Sequence, residues 1–482
     1  MLLCAAGVTS GTLIGMLPGI GPAAAMALLL PFAFGMEPES VLIMMAGIYY
    51  GAMYGGSTSS ILVNIPGEAA SVVTCLDGYQ MARKGRAGAA LGISAIGSFI
   101  AGTFSVVGLM LIARPLADFG LRFGPAEYFL LMLLALLTVG LIGGGSLAKS
   151  LAMAIFGVLI STIGLDVVTG RERLTFGTLG LVEGVDFIII VMGLFAISEV
   201  LSLLTQRTRE HIAPPTRILE VLPNREEMRR SVAPIARGTV LGFFVGVLPG
   251  AGASIASFIS YGIEKRFAKN PELFGQGEIE GVAGPEAANN AASGGALVPL
   301  LSLGIPGSGS AAIILGAMIL SGVRPGPMLF EQQSQIVWAL VASMYIGNVL
   351  LLILNLPMVP FLASLVRTPI HILLPIILVL SVIGVFNLHN SLFDLWLVLV
   401  IGIAGYFLSK AGYGPAPTVL GVILGPLLEQ NLRQALKISH DSLSIFVKSP
   451  ISIGLISLLV FCVVGRWIYA RYQCAQSVKN KG

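Results

Sequence analysis

Charged residues are scarce in this chain, and its few cysteines and histidines show no metal-binding pattern. Only 11% of the 482 residues are charged, whereas an average soluble domain has roughly 25%. Neither the four histidines nor the four cysteines (Cys4, Cys75, Cys462 and Cys474) form a CxxC or Cys/His spacing. These absences argue against a soluble protein, a disulfide framework and a histidine- or cysteine-ligated metal centre. We therefore predict neither a metal nor a resident cofactor.

Long hydrophobic runs fill the rest of the chain. Hydrophobic residues make up 55% of the sequence, and the mean hydropathy is +0.90. Several runs approach or reach the ~20 apolar residues that a spanning helix needs; they are 128–142, 147–165, 187–204, 336–356, 372–386, 395–408 and 451–467. The runs do not alternate as membrane strands would. The sequence thus predicts an all-α, polytopic integral membrane protein with about twelve hydrophobic segments.

Two motifs occur twice, in the same order. Ile14-Gly-Met-Leu-Pro-Gly-Ile-Gly21 returns as Val245-Gly-Val-Leu-Pro-Gly-Ala-Gly252, and Ile65-Pro66-Gly67 returns as Ile305-Pro306-Gly307. Paired hydrophobic segments broken by Gly and Pro point to a secondary transporter whose binding site lies between two repeats. We expect an N-terminal repeat over 1–205, a connector over 206–237 and a C-terminal repeat with an extra terminal helix over 238–482. Inverted repeats are favoured over parallel ones.

The duplicated motifs predict helices that stop within the membrane or re-enter it. Pro removes a backbone donor and clashes with the preceding turn, while Gly lets the chain bend without side-chain strain. Such breaks expose N–H groups that attract anions and carbonyl groups that coordinate cations. The residues expected to form these breaks and cation sites are Pro18, Gly19, Gly21, Pro66, Gly67, Pro249, Gly250, Gly252, Pro306 and Gly307.

Small polar side chains cluster beside the breaks. Hydroxyl and amide groups can hold a carboxylate through charge-assisted hydrogen bonds without an embedded arginine. The alternative is helix packing, in which small residues allow close approach and Ser or Thr bonds to its own helix. The candidate substrate-binding residues are Ser57, Thr58, Ser59, Ser60, Asn64, Asn289, Asn290, Ser293 and Ser308.

Two acidic residues lie next to these polar segments. Glu68 and Glu286 are candidate proton carriers, because an ionisable group inside a membrane is a functional hypothesis by default. They are equally compatible with watered loops, since Pro66-Gly67 and Gly284-Pro285 are turn signals. Asp77 and Asp166 are expected in interfacial loops. No Lys or Arg is evident beside the polar segments, so co-bound cations are expected to offset the charge of a carboxylate substrate.

Basic residues concentrate in three segments: 83–86, the connector 206–237, and the tail with Arg466, Arg471, Lys479 and Lys481. Short loops rich in Lys and Arg tend to stay in the cytoplasm, so all three are expected there. Topology determination accounts for these charges, and no nucleic-acid partner is predicted.

Longer motifs resemble one family. They are the two Leu-Pro-Gly-x-Gly motifs, Gly55-Gly-Ser-Thr-Ser-Ser-Ile-Leu-Val-Asn-Ile-Pro-Gly67, Asp77-Gly-Tyr-Gln-Met-Ala-Arg-Lys-Gly85 and Glu280-Gly-Val-Ala-Gly-Pro-Glu-Ala-Ala-Asn-Asn290. They closely resemble the large membrane subunit of the bacterial tripartite tricarboxylate transporters. The resemblance implies a multi-pass inner-membrane permease that works with a small membrane subunit and a periplasmic solute-binding protein. It implies import of carboxylates such as citrate, coupled to Na⁺ or H⁺, and more apolar sequence before the first motif than residues 1–11 provide.

Two other classes remain as alternatives. An intramembrane serine hydrolase would use Ser254, Ser308 or Ser310 with His371 or His389 as base, but no strand-turn-helix context supports a nucleophile elbow. An ion channel explains two related broken segments less naturally than alternating access does.

Overall fold

In the computed structural model, residues 1–17, 20–33, 35–142, 146–166, 169–205, 222–248, 252–358 and 370–479 are described. Helices dominate this part of the chain. The first half contains α1 (Leu2–Gly15), α2 (Pro22–Ala33), α3 (Pro38–Val63), α4 (Val72–Arg83), α5 (Ala87–Gly120), α6 (Pro125–Ile142), α7 (Leu147–Ser161) and α8 (Phe187–Thr205). Two short antiparallel strands, β1 (Gly164–Leu165) and β2 (Glu172–Arg173), join α7 to α8.

The second half has helices and loops but no strand among its described residues. It contains α9 (Arg225–Val247), α10 (Gly252–Phe267), α11 (Glu280–Gly295), α12 (Leu297–Leu303), α13 (Gly309–Leu320), α14 (Leu329–Gln332), α15 (Ser334–Asn355), α16 (Ile370–His389), α17 (Leu392–Lys410), α18 (Ala416–Ile438) and α19 (Pro450–Lys479).

The membrane-protein prediction agrees with the lengths of these helices. Within the described residues, four helices are long and apolar enough to cross a bilayer: α5, α8, α15 and α17. Several shorter apolar helices of 10–17 residues accompany them. The chain is therefore an all-α, multi-pass membrane protein.

Helices end at both copies of the Leu-Pro-Gly motif, as the sequence predicts. In the first half α1 ends at Gly15 and α2 begins at Pro22. In the second half α9 ends at Val247 and α10 begins at Gly252. Four of the predicted break residues, Pro18, Gly19, Pro249 and Gly250, lie outside the described residues.

Glycines let the broken helices pack backbone against backbone, in both halves. A methyl group added at Gly11 of α1 would lie 2.4 Å from the Ile48 carbonyl oxygen of α3. One added at Gly242 of α9 would lie 2.3 Å from the Ala288 carbonyl oxygen of α11. Glycines one turn away on either side make similar contacts: Gly7 and Gly15 in α1, and Gly238 and Gly246 in α9. Only a residue without a Cβ allows this approach.

Asp77 does not lie in an interfacial loop, contrary to our expectation. It is fully buried within α4, where its Oδ1 accepts hydrogen bonds from the backbone N–H groups of Gly275, Gly277 and Glu278 at 2.9, 2.8 and 2.7 Å. The Tyr261 hydroxyl donates to Oδ2 at 2.9 Å. These donors satisfy the buried carboxylate and tie α4 to the loop before α11. Asp166, by contrast, lies in the loop between β1 and β2.

Part of the expected connector is a helix. Helix α9 begins at Arg225, where Asn224 and Glu227 form a reciprocal capping box. Glu227 also pairs with Arg86 of the first half, and the Lys84 ammonium donates to the Gln276 carbonyl at 2.6 Å. Polar contacts therefore join the basic segment 83–86 to the second half.

Candidate functional site

A cavity of about 560 Å³ opens where four helices begin. Its wall includes Pro22, Gly252, Gly309 and Ala416, which are the first residues of α2, α10, α13 and α18. The first N–H groups of a helix have no partner within that helix, and the helix dipole adds partial positive charge there. The site therefore favours an anionic ligand.

Backbone contacts between the two duplicated motifs shape the cavity. In the first half, a methyl group at Gly21 would lie 3.0 Å from the Gly67 carbonyl oxygen. In the second half, one at Gly252 would lie 4.0 Å from the Gly307 carbonyl oxygen. Each Leu-Pro-Gly motif thus meets the Ile-Pro-Gly motif of its own half. The two pairs contribute to one wall, because Gly21 and Gly252 both line the cavity.

Two predicted polar residues lie on this wall at corresponding positions. Glu68 follows the first Ile-Pro-Gly motif and Ser308 follows the second, and both line the cavity. The Asn289 amide donates to Glu68 Oε1 at 3.0 Å. Ser308 is the N-cap of α13, and its hydroxyl accepts a hydrogen bond from the Ala311 N–H at 3.1 Å. The sequence analysis predicts Ser308 as a substrate-binding residue and Glu68 as a proton carrier.

The other predicted hydroxyl and amide groups are not in the lining of this cavity. Ser57 and Ser94 donate to the buried Glu286 carboxylate at 2.5 and 3.1 Å, and Thr74 donates to it as well. Glu286 is completely buried. This cluster joins α3, α4 and α5 to α11, so Glu286 has three hydroxyl partners from the first half.

The remaining polar side chains bond mainly within the framework. Ser59 and Ser60 both donate to the Gly56 carbonyl at 2.9 Å. Ser293 donates to the Asn289 carbonyl, and the Asn290 amide donates to the Ser98 hydroxyl. Thr58 is buried, and Asn64 ends α3 with its backbone in the left-handed region. Within the described residues, the Oδ1 atoms of Asn289 and Asn290 are buried without a donor.

Gly67 and Gly307, the glycines of the Ile-Pro-Gly motifs, are tightly packed. A methyl group at Gly67 would lie 2.7 Å from the Gly56 Cα, and one at Gly307 would lie 3.0 Å from the Ala296 Cβ. Close approach therefore explains both glycines. Pro66 and Pro306 lie beside them, between α3 and α4 and between α12 and α13.

Lys410 and Glu199 line the cavity but were missed by the sequence analysis. Lys410 is the last residue of α17, and its ammonium lies 5.6 Å from the centre of the Tyr406 ring. The expectation that no basic residue accompanies the polar segments holds only along the sequence, because α17 brings Lys410 to the same wall. Glu199 could have been found, since it is an ionisable residue inside the apolar run 187–204.

A polar face of α8 continues the wall. Ser198, Glu199, Ser202 and Thr205 all line the cavity, and their spacing puts them on one side of the helix. Leu194 and Phe195, which also line it, belong to a π-helical turn at Met192–Ile197. Such turns are frequent at functional sites.

The geometry gives no support to a serine hydrolase. Ser254, Ser308 and Ser310 line the cavity, but His389 is not in its lining and has its Nδ1 2.7 Å from Asp394 Oδ2. The side chain of His371, the other proposed base, lies outside the described residues.

Similarity to known proteins covers most of the chain. The sequence model of one protein family, the Tripartite tricarboxylate transporter TctA family, matches residues 1–420. A protein of Agrobacterium vitis described as "Uncharacterized 52.8 kDa protein in TAR-I ttuC' 3'region" is 47% identical over 461 residues, which are 96% of this chain and 92% of the relative. A second, from the same organism and described as "Uncharacterized protein in TAR-II ttuC' 3'region", is 47% identical over 223 residues, which are 46% of this chain and 92% of the relative.

No solved structure matches the chain. The family match nevertheless covers both copies of the duplicated motifs and all the residues that line the cavity. The family comprises transporter subunits, not enzymes. With its multi-pass helical fold and a match over residues 1–420, the chain belongs to the Tripartite tricarboxylate transporter TctA family.

Proposed function

We propose that this chain is the permease of a secondary active transporter that imports carboxylates, citrate-like tricarboxylates among them, with Na⁺ or H⁺. The observation that best supports the proposal is that the N-termini of four helices and Lys410 converge on one cavity. Each helix beginning contributes roughly half a positive charge. Together with the lysine ammonium, they provide a site for an anion with more than one carboxylate.

The size of the cavity supports a small-molecule substrate. Its volume of about 560 Å³ falls within the roughly 300–1,000 Å³ typical of ligand pockets. Tyr49, Met53 and Tyr406 add less polar surface to the wall. A compact organic anion therefore fits better than an inorganic ion.

The matching contacts in the two halves support a pair of structural repeats. The backbone packing of Gly11 on Ile48 has its counterpart in Gly242 on Ala288, and Glu68 corresponds to Ser308 on the cavity wall. We assign the repeats to 1–205 and 238–482, joined through 206–237, with inverted topology. In this arrangement the substrate binds between the repeats, and they move against each other during transport.

We assign different roles to the predicted polar residues. Ser308 faces the substrate, and the backbone N–H groups around Gly21 and Gly252 hold its carboxylates. Ser57, Thr58, Ser59, Ser60, Asn64, Asn289, Asn290 and Ser293 stabilise the framework around the site. Ser57, Asn289 and Asn290 bond to Glu286, Glu68 and Ser98 of other helices or loops, which supports this assignment. Ser59, Ser60 and Ser293 bond to carbonyl groups of their own helices.

Membership of a tripartite transporter family supports a proposal about the partners of this chain. We propose that the chain works in the bacterial inner membrane with a small membrane subunit and a periplasmic solute-binding protein that delivers the carboxylate. The basic segment 83–86 and the connector then face the cytoplasm, since positive loops stay inside.

Lys410→Gln tests the anion site. Uptake is measured in membrane vesicles that contain all three components, with citrate and smaller carboxylates as substrates. Loss of one charged hydrogen bond costs about 1.5 to 3 kcal/mol, so we expect the KM to rise at least about tenfold. The matched control is Lys437→Gln, in the last turn of α18, about 30 Å along the helix from the cavity at 1.5 Å per residue.

Equal KM values for the two lysine variants would refute the assignment of Lys410. Accumulation of substrate above its external concentration that continues when the Na⁺ and H⁺ gradients and the voltage are all collapsed would refute secondary transport itself. A thermal-shift screen of the solute-binding protein against carboxylates identifies the substrate independently, because a ligand stabilises the folded form that binds it.

A further inference from the structure

Glu199 differs in its surroundings from Glu68 and Glu286, the two acids that the sequence predicts as proton carriers. Glu286 accepts hydrogen bonds from three hydroxyl groups, and Glu68 accepts one from the Asn289 amide. Glu199 lines the cavity, and no hydrogen bond or ion pair joins its carboxyl group to the described residues. Its charge is therefore not compensated by the framework.

The other side of Glu199 is apolar. Ala24, Leu28, Val200 and Leu203 surround it in a small crevice behind the cavity wall. An ionised carboxylate against such a surface is costly unless a cation accompanies it, whereas a protonated carboxyl is tolerated. The charge state of Glu199 therefore affects whether the cavity binds an anion.

The polar face of α8 connects Glu199 to the surface. Ser198, one residue before it, has only 5% of its surface exposed. Ser202 is half-buried, and Thr205, at the end of α8, is exposed. Exposure increases toward the connector, and the exposed Lys410 ends α17 on the same wall. The cavity therefore opens at the connector end of α8, and water reaches Glu199 from that side.

Few other titratable groups face Glu199. The cavity wall carries Glu68, Tyr49, Tyr406 and Lys410. Of the helices packed against this part of α8, α2 has no titratable side chain, and α16 and α17 add His371, His389 and Asp394. Of these, His389 and Asp394 pair with each other, and the side chain of His371 lies outside the described residues. Lys410 is the cation on the described wall and is not ion-paired with Glu199.

We propose that Glu199 carries the proton that drives carboxylate import, an inference that rests on the proposed function. Its carboxylate takes up one proton when the cavity opens to the periplasm. The neutral carboxyl lets the anion bind near Lys410 and the helix beginnings. After the cavity opens at the connector end, the O–H bond breaks, the proton passes to water on the cytoplasmic side, and the carboxylate is restored as the anion leaves.

A proton fits Glu199 better than a metal cation does. Hard cations take several oxygen ligands, and no group of three or more His, Cys, Asp or Glu side chains gathers among the described residues. Ser198 and Ser202 are the polar neighbours of Glu199 on its own helix. A single carboxyl group with two hydroxyls is sufficient to hold a proton.

Glu199→Gln tests the proposal, because the amide imitates the protonated carboxyl but cannot release a proton. Vesicles that hold the complete transporter are given a pH difference of about one unit with the voltage clamped at zero. One coupled proton then supports about tenfold accumulation. We expect the variant to lose accumulation, with the internal substrate levelling near the external concentration. Exchange of internal for external substrate should continue, because exchange requires no release of the proton.

Two variants serve as controls. Glu331→Gln removes an exposed carboxylate outside the cavity and should accumulate substrate like the wild type. Glu199→Asp keeps a carboxyl group and should restore pH-driven accumulation at least in part.

Three results would overturn the proton assignment. The Glu199→Gln variant could accumulate substrate like the wild type, or it could lose both accumulation and exchange. The wild type could also accumulate substrate in response to a Na⁺ gradient but not to a pH gradient. The proposed function fails separately, if the wild type shows no gradient-driven uptake at all.

Discussion

Gly242→Ala is expected to loosen the contact between α9 and α11. The added Cβ would lie 2.3 Å from the Ala288 carbonyl oxygen and 2.6 Å from the Ala288 Cα. Ordinary contacts begin near 3.4 Å, so α9 must move away by about 1 Å, which weakens dispersion contacts along the interface. Overpacking of this kind costs about 1 to 3 kcal/mol.

Gly262→Ala is the matched control. Gly262 lies in α10, and nothing lies within 4 Å of a methyl group at that position. Alanine there gains about 0.5 to 1 kcal/mol, because glycine in a helix has more backbone entropy to lose. The two substitutions are chemically identical, so the difference between them isolates the contact with Ala288.

The measurement is SDS-induced unfolding of the purified protein from mixed micelles, monitored by far-UV circular dichroism. We expect Gly242→Ala to unfold at a lower SDS fraction than the wild type and Gly262→Ala at the same or a higher one. Gly11→Ala, in the matching position of α1, should behave like Gly242→Ala. If Gly242→Ala proves as stable as Gly262→Ala, the backbone contact does not limit packing and this reasoning is wrong.

Three further results are expected. Asp77→Ala should destabilise the protein by about 3 kcal/mol or more, because three backbone N–H groups lose their acceptor. Tyr261→Phe removes one donor and should cost about 1 kcal/mol in the same SDS titration. Equal losses of stability in the two variants would contradict the proposed bonding. Ser308→Ala should lower stability by about 1 kcal/mol through loss of the α13 cap and reduce carboxylate affinity; unchanged uptake kinetics would remove Ser308 from the site. A cysteine at Arg86 should react with an impermeant thiol reagent only in inside-out vesicles, and rapid labelling in right-side-out vesicles would reverse the proposed orientation.

Much of the fold could be predicted from local properties of the sequence. Composition and run length identify a membrane protein, because the bilayer sets both the polarity and the length of a spanning helix. Pro and Gly mark the helix breaks near Gly21 and Gly252, since their effects on the backbone are local. The family resemblance depends on motifs that are contiguous in the chain.

The polar clusters were harder to predict. Ser57 and Glu68 are close in sequence and looked like parts of one site. In the structure Glu68 lines the cavity, while Ser57 bonds to Glu286 from the second half. Both residues are polar, and their different roles depend on the residues that they contact. That partner is more than 200 residues away, so no local pattern could reveal it.

Local features of the chain are enough to predict that it spans a membrane, where its helices break and which family its motifs resemble. Which residues meet depends instead on helix packing: Lys410 joins a cavity built around motifs near residues 21 and 252, and Asp77 is buried against the loop before α11. The physical reason is that hydropathy and backbone propensity act over a few neighbouring residues, whereas the charge and shape of a site depend on helices that pack together from distant parts of the chain.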